Sequence, residues 1–171
     1  MIIKHVASSE SKNILVAIKN LGNKSVKVGW FSGAKYEDGT PVAAIAAQNE
    51  YGNPKKNIPE RPFLRPTVAT KQNNWKKVAE DGALQVLHGK MTIEEVLSLI
   101  GSDAVGDIKK TITQIYSPAL EESTVLARIA RNAGLSKRKG RLTEKAIGNV
   151  TKPLIDTKHM LNTLTFELSD E

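Results

Sequence analysis

Cysteine is missing from all 171 residues. Its absence removes disulfides, thiolate metal ligands and cysteine nucleophiles together, and fits assembly in a reducing compartment. Aromatic residues make up only 5% of the chain, so the core must be mainly aliphatic. No apolar run approaches the ~20 residues of a membrane span. The opening Met1-Ile2-Ile3-Lys4-His5-Val6 lacks the long apolar stretch of a signal peptide. The expectation is a protein made in the cytoplasm without a membrane partner. Acids are scarce in one place. Between Arg128 and Lys152 eight basic residues face the single acid Glu144, so this stretch carries the whole net charge of +7 and the remaining chain is formally neutral.

Signatures of chemistry are lacking as well. His5, His88 and His159 are scattered, without partners at metal-ligand spacing. There is no G-x-S-x-G elbow, P-loop or G-x-G-x-x-G fingerprint. The pairs Glu37-Asp38, Glu80-Asp81 and Glu121-Glu122 are sequence neighbours, and neighbours point apart on a helix or strand. The sequence predicts no enzyme, no catalytic residue, no metal site and no cofactor.

What is present has the size of one compact domain over 1–171, with 40% hydrophobic residues. Ser8 and Ser9 can cap a helix carrying Ile14, Ile18 and Leu21, closed by Gly22. Val26, Val28 and Trp30 alternate with Lys27, Gly29 and Phe31 as a strand, placing Trp30 and Phe31 on opposite faces. A polar loop at 33–39 leads to Thr40-Pro41, a cap and a first helical position for a short alanine-rich helix over 42–51 that Gly52 stops. The four prolines between Asn53 and Pro66 predict an extended segment. A helix over 67–87 follows, with Gly82 weakening it.

Thr92-Ile93-Glu94-Glu95 is a capping box. Behind it Ile93, Leu97, Ile100, Ala104, Ile108, Ile112 and Ile115 form a stripe at spacings of three and four, the clearest helix in the chain. Pro118 breaks it, a helix over 121–133 ends at Gly134, and Leu164, Phe166 and Leu168 mark a closing strand. The fold class is α+β: a small, mostly antiparallel sheet packed with three to four helices, plus a basic extended segment at about 128–152.

Three ordered motifs carry a resemblance. Asn49-Glu50-Tyr51-Gly52 with Ile58-Pro59-Glu60-Arg61-Pro62-Phe63-Leu64-Arg65-Pro66 is the first. Ser117-Pro118-Ala119-Leu120 with Thr124 is the second, and Lys152-Pro153-Leu154-Ile155-Asp156-Thr157 before Leu161 is the third. Together, and with Gly29-Trp30-Phe31 before the alanine helix, they resemble the virion-morphogenesis and tail-completion proteins of tailed bacteriophages. That group includes head–tail connector and Z-like minor tail proteins. One position departs: Lys158 stands where the family has glycine. The stretch 128–150 also matches the family poorly.

The resemblance implies a structural virion protein in the neck or at the head-proximal end of the tail. It would form a homo-oligomeric ring, a hexamer by family likeness, and join tail to capsid through other neck, connector or tail proteins, close to packaged DNA. On this reading Phe31, Tyr51, Arg61, Phe63 and Leu64 are candidates for a subunit or partner interface, since aromatic and arginine anchors are enriched there. An equal reading of Phe63 and Leu64 makes them staples that hold an extended segment to its own domain. Arg128, Arg131, Lys137, Arg138, Lys139, Arg141 and Lys145 form a candidate basic contact segment. That segment also supports an alternative, a DNA-binding accessory protein whose basic arm follows phosphates.

Overall fold

The computed structural model describes residues 24–136, 151–155 and 158–170, with backbone alone at 132–136. The expected N-terminal helix closed by Gly22 lies outside them. In chain order the elements are β1 (Lys24–Gly29), α1 (Val42–Tyr51), a 3-10 turn (Pro54–Lys56), α2 (Leu64–Leu87), α3 (Ile93–Gln114), α4 (Glu122–Ser136), α5 (His159–Asn162) and β2 (Thr165–Asp170). The two strands pair antiparallel, with the hydroxyls of Ser25 and Ser169 2.8 Å apart across the ladder. The fold is the small α+β arrangement that the patterning predicts. No described helix is long and apolar enough to cross a membrane.

The chain divides into two compact units. Among the described residues the first takes 24–28, 71–104 and 166–170; the second takes those of 29–70 and 105–165.

In the first unit, two glycines mark close approaches. A Cβ on Gly82 would lie 2.4 Å from Val96 Cγ1, and one on Gly101 would lie 2.5 Å from Phe166 Cγ. Gly82, a weak point by helix propensity, is the place where α3 seats Val96 against α2. The capping box forms as expected: Thr92 Oγ1 accepts the Glu95 N–H at 3.2 Å, and the Glu95 carboxylate accepts the Thr92 N–H at 2.7 Å. Lys24 pairs with Glu94 and Asp170 at 2.8 and 3.1 Å.

In the second unit, Val42, Phe63, Ile112 and Leu164 are the largest fully buried apolar side chains. The α3 stripe supplies Ile108 and Ile112 to this core and Ile93 and Ala104 to that of the first unit. Trp30 leaves the strand pattern: β1 ends at Gly29, and the Trp30 indole donates to Met160 O at 2.8 Å with its ring edge-on to Phe63. Phe31 begins a turn instead of continuing the strand, its carbonyl accepting the Ala34 N–H.

Four boundaries differ from the sequence expectation. Pro41 is itself the cap of α1, extended at φ −62° and ψ 132°, because the Val42 N–H already reaches Ala34 O across the loop. The 53–66 segment is not extended throughout. Asn53 caps the 3-10 turn, and α2 starts at Leu64 with Pro66 inside its first turn. Proline is tolerated there because N–H groups of a first turn have no intrahelical acceptor. Gly134 does not end α4, which continues to Ser136. The closing strand begins at Thr165, after the fully buried Leu164.

Candidate functional site

The first motif is tied together by one buried carboxylate. Glu50, 1% exposed, sits in the last turn of α1 and accepts the N–H groups of Phe63, Leu64 and Arg65 at 2.7, 2.8 and 3.0 Å. These are the donors that the start of α2 leaves without acceptors, and Pro66 adds none. A negative charge there also meets the positive end of the helix dipole. The Arg65 guanidinium adds a contact to Glu50 at 3.1 Å and pairs with Glu60. Burial pushes the Glu50 carboxyl up, but the amides of Arg65, Leu64 and Phe63, with the Arg65 side chain, outweigh it and hold the group below its ordinary value.

Two arginines join the other motifs to the same unit. Arg61 Nε and Nη2 donate to the carbonyls of Pro118 and Ala119 at 2.8 and 2.9 Å, so motif one grips motif two. Arg128 donates to the carbonyls of Lys152 and Pro153 at 2.9 and 3.2 Å, gripping motif three. Burial and the repulsion of Arg128 both lower the pKa of Arg61. Lys152 in turn donates to Thr113 O at 3.3 Å and lies over the Tyr116 ring.

These contacts relocate several candidates. Arg61 and Phe63 are interior residues of the second unit, 5% and 0% exposed. Arg128 is buried too, so the basic stretch does not begin as an extension: its first member is an internal strut and its last, Lys152, is half-buried. Tyr51 is exposed, with the Arg65 guanidinium 5.0 Å from its ring centre. Phe31 and Leu64 are half-buried and Arg131 is exposed. Lys137, Arg138, Lys139, Arg141 and Lys145 lie outside the described residues.

Beside the two arginines opens a cleft of about 620 Å³, wholly within the second unit. Ile45, Ile58, Leu154 and Met160 give it apolar walls, while Lys56, Lys158, Ser123 and Thr124 supply cations and hydroxyls. His159, scattered in sequence, lines it with one ring nitrogen 2.8 Å from Lys35 O and its ring against Tyr36. No group of three or more His, Asp or Glu among the described residues could hold a metal ion.

Sequence reasoning missed Glu50 as a cap and missed the cleft. The signal for the cap was a proline-bounded segment in which a helix begins just ahead of the last proline. The cleft had no local signal, because its walls come from stretches far apart in sequence. Lys158 carries a further feature: it adopts the left-handed conformation, φ +62° and ψ 6°. Comparison with protein-family models, curated proteins and solved structures finds no match to this chain.

Proposed function

We propose that this chain is a structural subunit of a tailed-phage virion, made in the host cytoplasm and built into the neck or the head-proximal end of the tail. It acts by assembling into a closed ring, a hexamer by family likeness, and by joining tail to capsid through neighbouring neck, connector or tail proteins. A cyclic ring repeats one heterologous contact and closes it.

The observation that carries this reading is the convergence of the three motifs. Arg61 of the first holds the carbonyls of the second, and Arg128 holds those of the third. Residues that resemble a family signature are thus the ties of one folded unit, as a shared scaffold requires. Lys158 adds support. It stands at a family glycine position and keeps the left-handed backbone that glycine favours. The polar groups of the motifs hold backbone amides and carbonyls, a structural use that suits a subunit without chemistry of its own.

The test is loss and return of the chain during particle assembly. Without it, filled heads and finished tails should accumulate unjoined, and supplying it should restore joined particles. Normal joined particles in its absence would overturn the proposal. Salt-dependent duplex binding with a slope of several phosphates, together with normal particles, would favour the DNA-binding alternative.

A further inference from the structure

The cleft of the second unit combines features that the architectural role of its arginines does not use. Arg61 is 5% exposed, and two of its three guanidinium nitrogens are held by carbonyls. No carboxylate among the described residues pairs with it, and the positive Arg128 is close enough to lower its pKa. A buried cation without an acid partner is an expensive arrangement. The third nitrogen, Nη1, takes no acceptor among the described residues, and no described buried side-chain nitrogen or oxygen lacks a partner; Nη1 is therefore not fully enclosed, and Arg61 lines the cleft. Two carbonyls hold the guanidinium in place, so it presents this donor with little further loss of freedom.

Other donors converge on the same space. Ser123 and Thr124, in the first turn of the 15-residue helix α4, line the cleft. Neither hydroxyl has a hydrogen-bond partner among the described residues. The Thr124 and Val125 N–H groups already donate to Glu121 O at 2.9 and 3.1 Å, so the helix start contributes its partial positive charge more than free amides. Lys56 and Lys158 add positive charge at the rim.

We infer that this cleft is a carboxylate-binding site, taking an aspartate or glutamate side chain, flanked by apolar residues, from a partner polypeptide. The apolar walls fit the neighbours of such a side chain, and a fixed guanidinium suits a planar carboxylate. Asp38 and Glu121 also line the cleft. Their charge opposes any anion, and opposes least a single carboxylate seated at Arg61 and most a nucleic-acid strand, whose closely spaced phosphates require a continuous run of cations. That the partner is another virion protein rests on the proposed function; the binding chemistry does not.

The test uses the purified full-length chain and follows the Arg61 guanidinium resonances by NMR. Four probes are titrated: a capped hexapeptide alternating leucine and aspartate, its leucine–asparagine counterpart, acetate, and a thymidine octanucleotide. The aspartate peptide should shift the Arg61 signals saturably with a dissociation constant of about 1 mM or tighter, and the asparagine peptide should bind at least about tenfold more weakly. Acetate should compete at the same signals, identifying the carboxylate as the anchor. Lys56→Ser and Ser123→Ala should each weaken the aspartate peptide about threefold or more. Equal binding of the two peptides would overturn the inference, as would unmoved Arg61 signals with every probe. Tighter binding of the octanucleotide would overturn the carboxylate assignment and make the cleft a phosphate site. Failure here leaves the assembly proposal standing, since that is decided by particle completion and not by this titration.

Discussion

Replacing Glu50 by glutamine keeps the shape of the side chain and reverses half of its hydrogen bonding. In the wild type one carboxylate oxygen accepts from Phe63 and Leu64, and the other from the backbone and side chain of Arg65. A glutamine NH2 must face one of these donor pairs. The Arg65 side chain is half exposed and can turn to water; the amide donors cannot. Leaving one or two buried N–H groups unmet, at about 1–3 kcal/mol each, predicts a loss of roughly 2–4 kcal/mol. For a chain of this size that lowers the melting temperature by roughly 5–15 °C at pH 7. The pH dependence has a definite sign. The folded carboxyl titrates below its ordinary value, so its contribution is complete above the unfolded value of about 4.3 and is lost as pH falls through the folded one. The gap between wild type and Glu50→Gln, measured by thermal melts from pH 7 to pH 3, should therefore narrow in acid. A variant that melts within about 2 °C of wild type at pH 7 would refute the capping role.

Four further outcomes follow from the packing and the backbone. Phe63→Ala, at a fully buried position, should destabilise by about 3–5 kcal/mol in equilibrium denaturation; an unchanged midpoint with failed particle completion would return Phe63 to an interface role. Gly82→Ala should cost about 1–3 kcal/mol against Val96 and be partly rescued by Val96→Ala, whereas Gly106→Ala, with nothing within 4 Å of its added Cβ, should gain about 0.5–1 kcal/mol on helix propensity alone. Lys158→Gly should stabilise by about 0.5–1 kcal/mol, read by the same melts, because it relieves a left-handed backbone at φ +62°.

Local signals located the parts of the fold that local forces determine. The Thr92–Glu95 box closes one turn, and the stripe from Ile93 to Ile112 repeats every three or four residues along one helix, so sequence spacing alone locates α3. The alanine helix likewise runs over 42–51 as expected, because Gly52 stands at φ +71° at its end. Distant partners were not legible. Arg61 beside Phe63 in a proline-rich segment has the composition of an interface anchor; its acceptors, Pro118 and Ala119, lie 57 and 58 residues further on. Arg128 sits in a basic stretch, yet its acceptors are carbonyls 24 and 25 residues away that no charge pattern reveals. Gly82 is a liability by helix propensity, and the reason it is accommodated, Val96, is on another helix.

If the chain works as a neck or tail subunit, it must be a repeated component of the finished particle. Purified tailed particles from the phage that encodes it, analysed by quantitative mass spectrometry against the major tail protein, measure this directly. The expected result is a small fixed number of copies per particle, about six for the hexameric ring implied by the resemblance. Its absence from purified particles, or a single copy in each, would contradict the proposed role.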